Sequence, residues 1–322
     1  MAQAERRFFD VVIVGAGPAG LSAALILGRC GRQVLLCDRG TPRSWASRAM
    51  HGFITRDGVP PDEFAALALQ ELARYPTVTF RQQEVHDARR SDGGFEVIVG
   101  ESRAQARKLL LATGLQDELP AIEGLAALFG TSVFQCPYCD GWEFRDRPLA
   151  AYGRRGRGLE MARALTAWSR DILLCTDGAS GFTAEQRAHL ASNSIRLIEQ
   201  RVQRLESDGG QLRCVVFRDG TRVEREALFF DTASRGQSDL TAKLGCQFTR
   251  HGGIRCGKYE ATSVPGVYVA GNIVRNVQLS IVAAAEGASA AFGINRALTR
   301  EDYARRATGQ RLIEHTAPDG AA

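Results

Sequence analysis

Cys136-Pro137-Tyr138-Cys139 sets two thiols two residues apart, with Asp140 following at once. That spacing belongs to two chemistries: reversible dithiol–disulfide exchange, or one half of a zinc site. Zinc wants a second pair. Cys175, Cys214, Cys246 and Cys256 are isolated, with no histidine beside them, so redox chemistry is the better reading and no metal is expected. Two blander readings stay open: an ordinary buried pair, or a glutaredoxin-like CPYC. A glutaredoxin carries its motif near the start of a small domain, whereas here 135 residues precede it.

Those preceding residues contain a nucleotide-binding pattern. An apolar, β-branched run over residues 8–15 passes into Gly15-Ala16-Gly17-Pro18-Ala19-Gly20, then a helical pattern over 21–31, then a strand over 33–37 that ends at Asp38. Gly15 permits the tight turn, Gly17 lets the backbone approach a pyrophosphate, and Gly20 lets helix and strand pack closely. The helix N-terminus offers oriented N–H groups to phosphate. Asp38 falls where an acid accepts hydrogen bonds from a ribose.

A second unit echoes the first. Residues 148–153 read as a strand entering a glycine, 159–168 as a helix, and Asp171-Ile172-Leu173-Leu174-Cys175 repeats the pattern of Gln33-Val34-Leu35-Leu36-Cys37. The fold class expected is therefore α/β with two dinucleotide-binding, Rossmann-like domains. Cys37 and Cys175, at matching strand ends, read as inert packing residues. The copy is damaged: it runs Gly153-x-Arg155-x-x-Gly158, so a long cation replaces the glycine that admits pyrophosphate, and Thr176-Asp177-Gly178 brings no arginine cluster for a 2′-phosphate. Further on, residues 202–230 alternate as short strands around Asp208-Gly209-Gly210 and Asp219-Gly220, both hairpin signals. A turn, a strand and a polar end over 264–272, a small-residue helix at 279–298 and a polar, loose tail at 299–322 complete the chain, with Tyr303 or Leu312-Ile313 as docking points.

The 322 residues are 44% hydrophobic and 24% charged, enough to bury a core and more than one domain usually needs. Residues 1–7 are charged, and no stretch approaches the ~18 apolar residues of a membrane span, so a soluble, cytoplasmic protein is expected. A net charge of +5 suits an acidic partner. The arginines form no dense run with interleaved aromatics, which argues against nucleic acid.

Taken together, the first glycine turn, Ala112-Thr113-Gly114, Cys136-Pro137-Tyr138-Cys139-Asp140-Gly141, the degraded second turn and the stretch 266–272 make the chain resemble the low-molecular-weight thioredoxin reductase family. The resemblance implies an FAD domain made of residues 1–119 and 240–322, with a nicotinamide-type domain, 120–239, inserted and carrying the CxxC. It implies that FAD is held by Gly15, Gly17, Pro18, Ala19, Gly20, Asp38, Arg39, Val85, Ala112, Thr113, Gly114, Gly271 and Asn272. It further implies that Cys139 faces the flavin, that Cys136 attacks the substrate disulfide, and that Asp140 is the acid/base. A thiolate is the reactive form, and a neighbouring carboxylate can shuttle the proton.

The chain departs from the family at Arg155, at Asn272, which stands for an acid, and at the Arg-Gln that usually opens the last helix, where only Gln278 offers a flavin contact. The segment 48–58, with His51 and Thr55, looks like the branch containing gliotoxin-type and holomycin-type dithiol oxidases and reductase-like proteins that have lost NADPH. There His51 is read either as a proton relay near the flavin or dithiol, or as a structural histidine. The expected function is an FAD-dependent dithiol oxidoreductase acting on a thioredoxin-like protein or a small dithiol, with ferredoxin or dioxygen as electron partner and the homodimer of its relatives. An NADPH-dependent thioredoxin reductase and a flavin-binding sensor without turnover are the alternatives. In some relatives the C-terminal segment covers the flavin, and the tail here is a candidate for the same role.

Overall fold

The computed structural model describes residues 7–232, 234–250, 252–274 and 277–308. They cluster into two units: the first collects residues up to Arg43, Asp62–Gln116 and the chain from Gly236, the second Ser44–Pro61 and Asp117–Arg235.

In the first unit the apolar strand Arg7–Val14 lies parallel to Val34–Cys37 on one side and to Ser102–Leu111 on the other. Val78–Arg81 extends the parallel edge. On its far side Ser102–Leu111 has two neighbours: antiparallel Gly94–Val99 along its first half and parallel Val267–Val269 along its last. Val85–Ser91 closes the sheet against Gly94–Val99. Both faces are covered. Val11 and Ile13 pack with Leu21, Ala24 and Leu27 of the helix Pro18–Arg29 and with Ala290 and Ile294 of the last helix; Val12 and Val14 pack with Phe95, Val97 and Ile273. Burial on both faces is why this strand reads as an unbroken apolar run and not as an alternation.

The second unit has a five-stranded parallel sheet, in the order Ile195–Ile198, Ile172–Cys175, Leu149–Tyr152, Ala227–Phe230, Val133–Phe134. An antiparallel meander follows, Val202–Asp208, Gln211–Phe217 and Arg222–Glu224. Its turns fall at Gly209, Gly210 and Gly220, all at positive φ, where the Asp-Gly pairs predict hairpins.

Several boundaries differ from the sequence reading. The chain passes between units at Gln116/Asp117 and Arg235/Gly236, a few residues before the points drawn from the family pattern. Ser44–Pro61, expected in the FAD domain, belongs to the second unit. There Trp45 packs its ring 5.8 Å from Phe129, and Gly130 passes so near Ala46 that a Cβ would lie 2.0 Å from the Ala46 carbonyl oxygen. The helix expected at 159–168 is Arg155–Leu165. The last helix is Ser280–Ala307, so the first part of the expected loose tail is ordered: Arg107 pairs with Glu301 and Asp302, Lys108 with Glu301, and Arg32 with Asn295, Thr299 and Asp302. Tyr303 is exposed among the described residues. Leu312 and Ile313 lie outside the described residues. Among the described residues no helix is long and apolar enough to cross a membrane.

Candidate active site

The glycine turn of the first unit is built by contact. Gly15 has φ +106, and a Cβ on it would lie 2.3 Å from the Ala112 carbonyl oxygen; one on Gly20 would lie 1.8 Å from the Gly15 oxygen. Gly17 differs: nothing stands within 4 Å of where its Cβ would be. The first and third glycines are thus required by protein packing, and the second leaves a space for something else. Pro18 opens the helix and Ala19 follows, pressed by Gly287 of the last helix, whose Cβ would be 2.0 Å from the Ala19 oxygen. Asp38 accepts hydrogen bonds from the amides of Ala16 and Gly40, each at 2.6 Å, which uses one lone pair on each carboxylate oxygen and leaves the others for a ribose.

Gly15, Asp38, Arg39, Val85 and Thr113 line one cleft. The Thr113 hydroxyl is buried with no hydrogen-bond partner among the described residues, a group that a bound ligand would satisfy. Ala112 is buried and Gly114 takes φ +67. Gly271, at φ +81, donates its amide to Glu286 at 2.7 Å and sits against Ala19; Asn272 begins the turn Asn272–Val274. Gln278 accepts a hydrogen bond from Arg43. Sequence reading missed Gln237, which donates to the Leu115 carbonyl at 2.7 Å and accepts from Arg39 at 2.9 Å, along with Gln83 and Ser238 of the same cleft. No local pattern marks them, since only the return of the chain brings Gln237 to Arg39.

Cys136 and Cys139 form a disulfide in the second unit. Cys136 caps the short helix Pro137–Asp140, its sulfur accepting from the Cys139 amide at 3.1 Å, with Pro137 at the first helical position where its missing N–H costs nothing. Gly141 completes the turn under Trp168: a Cβ there would lie 2.5 Å from the Pro137 oxygen and 2.8 Å from the Trp168 ring. Tyr138, 72% exposed, stands edge-on to Trp168 with ring centres 5.5 Å apart.

Asp140 is held by its surroundings in a protonatable state. Burial first, and then the charge of Glu143, push its carboxyl up to about 7, while His51 opposes them. His51 therefore sits with the dithiol unit, as does Thr55, which is exposed at φ +70. Nδ1 of His51 lies 3.6 Å from Asp57 and Nε2 3.6 Å from Glu143. By contrast Cys37 and Cys175 are pushed by burial up to about 12, which leaves them as thiols and inert.

At the second glycine turn the packing glycines survive: a Cβ on Gly158 would lie 2.1 Å from the Gly153 oxygen, as Gly20 does against Gly15. Arg155, at the place of Gly17, takes φ +53, a left-handed conformation that a side chain disfavours. Arg154 pairs with Asp177 at 2.9 Å and Arg157 donates to the Thr232 carbonyl at 2.8 Å. Three arginines line this cleft, though on the glycine turn and not after the second strand. Where the first turn has Gly17 with nothing within 4 Å of its Cβ position, this turn carries an exposed side chain at left-handed φ.

Residues 9–287 match the pyridine nucleotide-disulphide oxidoreductase family, and the chain belongs to it. It is similar to thioredoxin reductase tcpT of Claviceps purpurea, 30% identical over 278 residues, 82% of this chain and 86% of that one. Among solved structures it is similar to HlmI, with 34% identity, a TM-score of 0.90 and coverage of 95% of this chain and 98% of that one. An oxidoreductase from Agrobacterium tumefaciens is 33% identical with a TM-score of 0.85, covering 90% and 98%. The protein is a flavin-dependent thiol–disulfide oxidoreductase of the thioredoxin reductase type.

Proposed function

We propose that the protein exchanges two electrons between FAD, held by the first unit, and the Cys136/Cys139 pair, and passes them to or from a protein or small-molecule dithiol without using NADPH. The observation that carries the last clause is Arg155, a cation at left-handed φ standing where the first turn leaves Gly17 open. FAD bound at Gly15, Gly17, Asp38 and Thr113 supplies the two-electron store. Cys136 is the thiol that meets substrate, Cys139 the one that exchanges with the flavin, and Asp140, poised near neutrality, takes or gives the thiol proton. Direction follows from the potentials of the partners, a dithiol on one side and ferredoxin or dioxygen on the other. A homodimer is the assembly expected from the family.

The test is anaerobic. Dithiothreitol is expected to bleach the oxidised flavin band of the wild-type protein and to leave that of Cys139→Ser unchanged, while NADPH at the same concentration bleaches neither at catalytic speed. Rapid bleaching of the wild type by NADPH would restore an ordinary NADPH-dependent reductase; bleaching of Cys139→Ser by dithiothreitol would remove the pair from the path.

A further inference from the structure

The helix that carries the cysteines does not stop at Asp140. Gly141 keeps helical angles, φ -71 and ψ -29, and the backbone runs on into the tight turn Trp142–Phe144. Tyr138, Trp142 and Arg145 therefore fall at i, i+4 and i+7, on one face. Phe144 turns the other way, its ring 5.4 Å from that of Phe134 in the core of the second unit. This leaves Trp142 63% exposed and Tyr138 72% exposed, two large rings open to solvent beside the redox pair. Both are held in place. Tyr138 stands against the ring of Trp168, which itself presses on Gly141. The guanidinium of Arg145 lies 4.2 Å from the centre of the Trp142 ring and donates to the Trp142 carbonyl at 3.3 Å. Arg147, two residues on, pairs with Glu226 at 3.0 Å, whereas among the described residues no carboxylate pairs with Arg145.

We propose that Tyr138, Trp142 and Arg145 select the substrate, and that the substrate is a small disulfide or dithiol whose sulfur is borne on a planar aromatic ring carrying an anionic group. This rests on the reading of Cys136 as the thiol that meets substrate. Bond formation to Cys136 brings the substrate sulfur to the first turn of this helix, so the ring that bears it lies against Tyr138 and Trp142, where aromatic contacts add to burial. Its anion reaches the guanidinium that no carboxylate holds. From Tyr138 to Arg145 the face is about 10 Å long, a span for one or two rings, whereas a stable protein partner covers about 800 Å² on each side. In the exchange the Cys136 thiolate attacks one substrate sulfur. That S–S bond breaks as the Cys136–substrate bond forms, and the leaving thiolate takes the proton that the Cys136 thiol gave up. Cys139 then gives its proton to the second substrate sulfur as it attacks Cys136, so the enzyme dithiol is oxidised by two electrons and the substrate reduced by two. The reverse sequence oxidises a substrate dithiol.

The test uses the flavin-loaded protein with its pair reduced, without oxygen and carrying Cys30→Ser to remove an exposed thiol. Second-order rate constants are measured with 5,5′-dithiobis(2-nitrobenzoate), which is aromatic and anionic, with 4,4′-dithiodipyridine, aromatic and uncharged, and with bis(2-hydroxyethyl) disulfide, which is neither. Ratios between probes, compared between variant and wild type, cancel leaving-group chemistry and any general change in thiol reactivity. Tyr138→Leu and Trp142→Leu are each expected to lower the ratio of dithiodipyridine to hydroxyethyl disulfide by roughly threefold or more, and Tyr138→Phe, which restores the ring, to recover it. Arg145→Gln is expected to lower the ratio of nitrobenzoate to dithiodipyridine by roughly threefold or more. Ring variants that leave the first ratio intact, or an Arg145→Gln that leaves the second intact, would overturn the proposal and give the face to a protein partner. Cys136→Ser keeps the two readings apart. Wild-type rates in that variant would remove Cys136 as the attacking thiol and the proposal with it, whereas a slow Cys136→Ser alongside unchanged ratios would remove the aromatic face alone.

Discussion

Asp140 is where a single side chain converts its environment into pH dependence. Its carboxyl is raised from an ordinary 3.8 to about 7, so between those values the folded protein holds a proton that the unfolded chain has released. The sign follows: this group's contribution to stability is complete below about pH 4 and is lost as pH rises through about 7. Asp140→Asn removes the effect. Chemical denaturation of the oxidised protein at pH 5 and pH 8 is expected to show the variant gaining on wild type at the higher pH, on the order of 1 kcal/mol after discounting for solvent screening. A variant whose difference from wild type is the same at both values would mean that Asp140 titrates normally. The CxxC, Asp140 and the identity of Gly15, Gly17 and Gly20 were legible because chemistry and backbone geometry both write themselves into adjacent residues. His51 was legible only as a choice between roles, since its partner Glu143 is remote in sequence.

At the scale of the element, the turn between the first strand and its helix separates what packing demands from what a ligand demands. Gly20→Ala would drive a methyl group to 1.8 Å from the Gly15 carbonyl oxygen; backbone atoms cannot yield as a flexible side chain can, and a loss of several kcal/mol, on the order of 3 or more, is expected in thermal or denaturant melting. Gly17→Ala meets nothing within 4 Å. It is expected to melt like wild type when stripped of flavin, and to hold flavin at least about tenfold more weakly, because the added methyl occupies the approach of the pyrophosphate. Equal flavin affinity for Gly17→Ala and wild type, titrated by visible absorbance, would place the phosphates elsewhere. Helix ends were read less well than this turn. Arg155-Gly156-Arg157-Gly158 has no apolar periodicity, so the helix Arg155–Leu165 was expected to begin four residues late, and the final helix was cut short for want of a visible reason to continue.

That reason belongs to the molecule as a whole. Arg107, on the long central strand of the first unit, is 6% exposed and reaches Asp10 at 2.9 Å, Glu301 at 3.0 Å and Asp302 at 2.7 Å, joining the first strand, the strand Ser102–Leu111 and the last turns of the final helix across most of the chain's length. All three partners of such a network are invisible to any window of sequence. Arg107→Ala is expected to lower stability by about 3 kcal/mol, because it removes a nearly buried guanidinium that joins Asp10, Glu301 and Asp302, and to increase amide exchange selectively over residues 299–307. An unchanged melting curve would show that water replaces the guanidinium without cost.

The assignment of Ser44–Pro61 to the dithiol unit has a consequence for how the protein is made. As the chain leaves the ribosome, everything in the second unit has emerged by Arg235, including the segment carrying His51, which comes out long before the cysteines. The first unit, begun at the first strand, must wait for Val267–Val269 and the final helix before its sheet and its nucleotide turn are complete. All of the dithiol unit is therefore synthesised while the first unit is still incomplete, and for that interval Cys136 and Cys139 exchange electrons only with the disulfides and thiols of the surroundings.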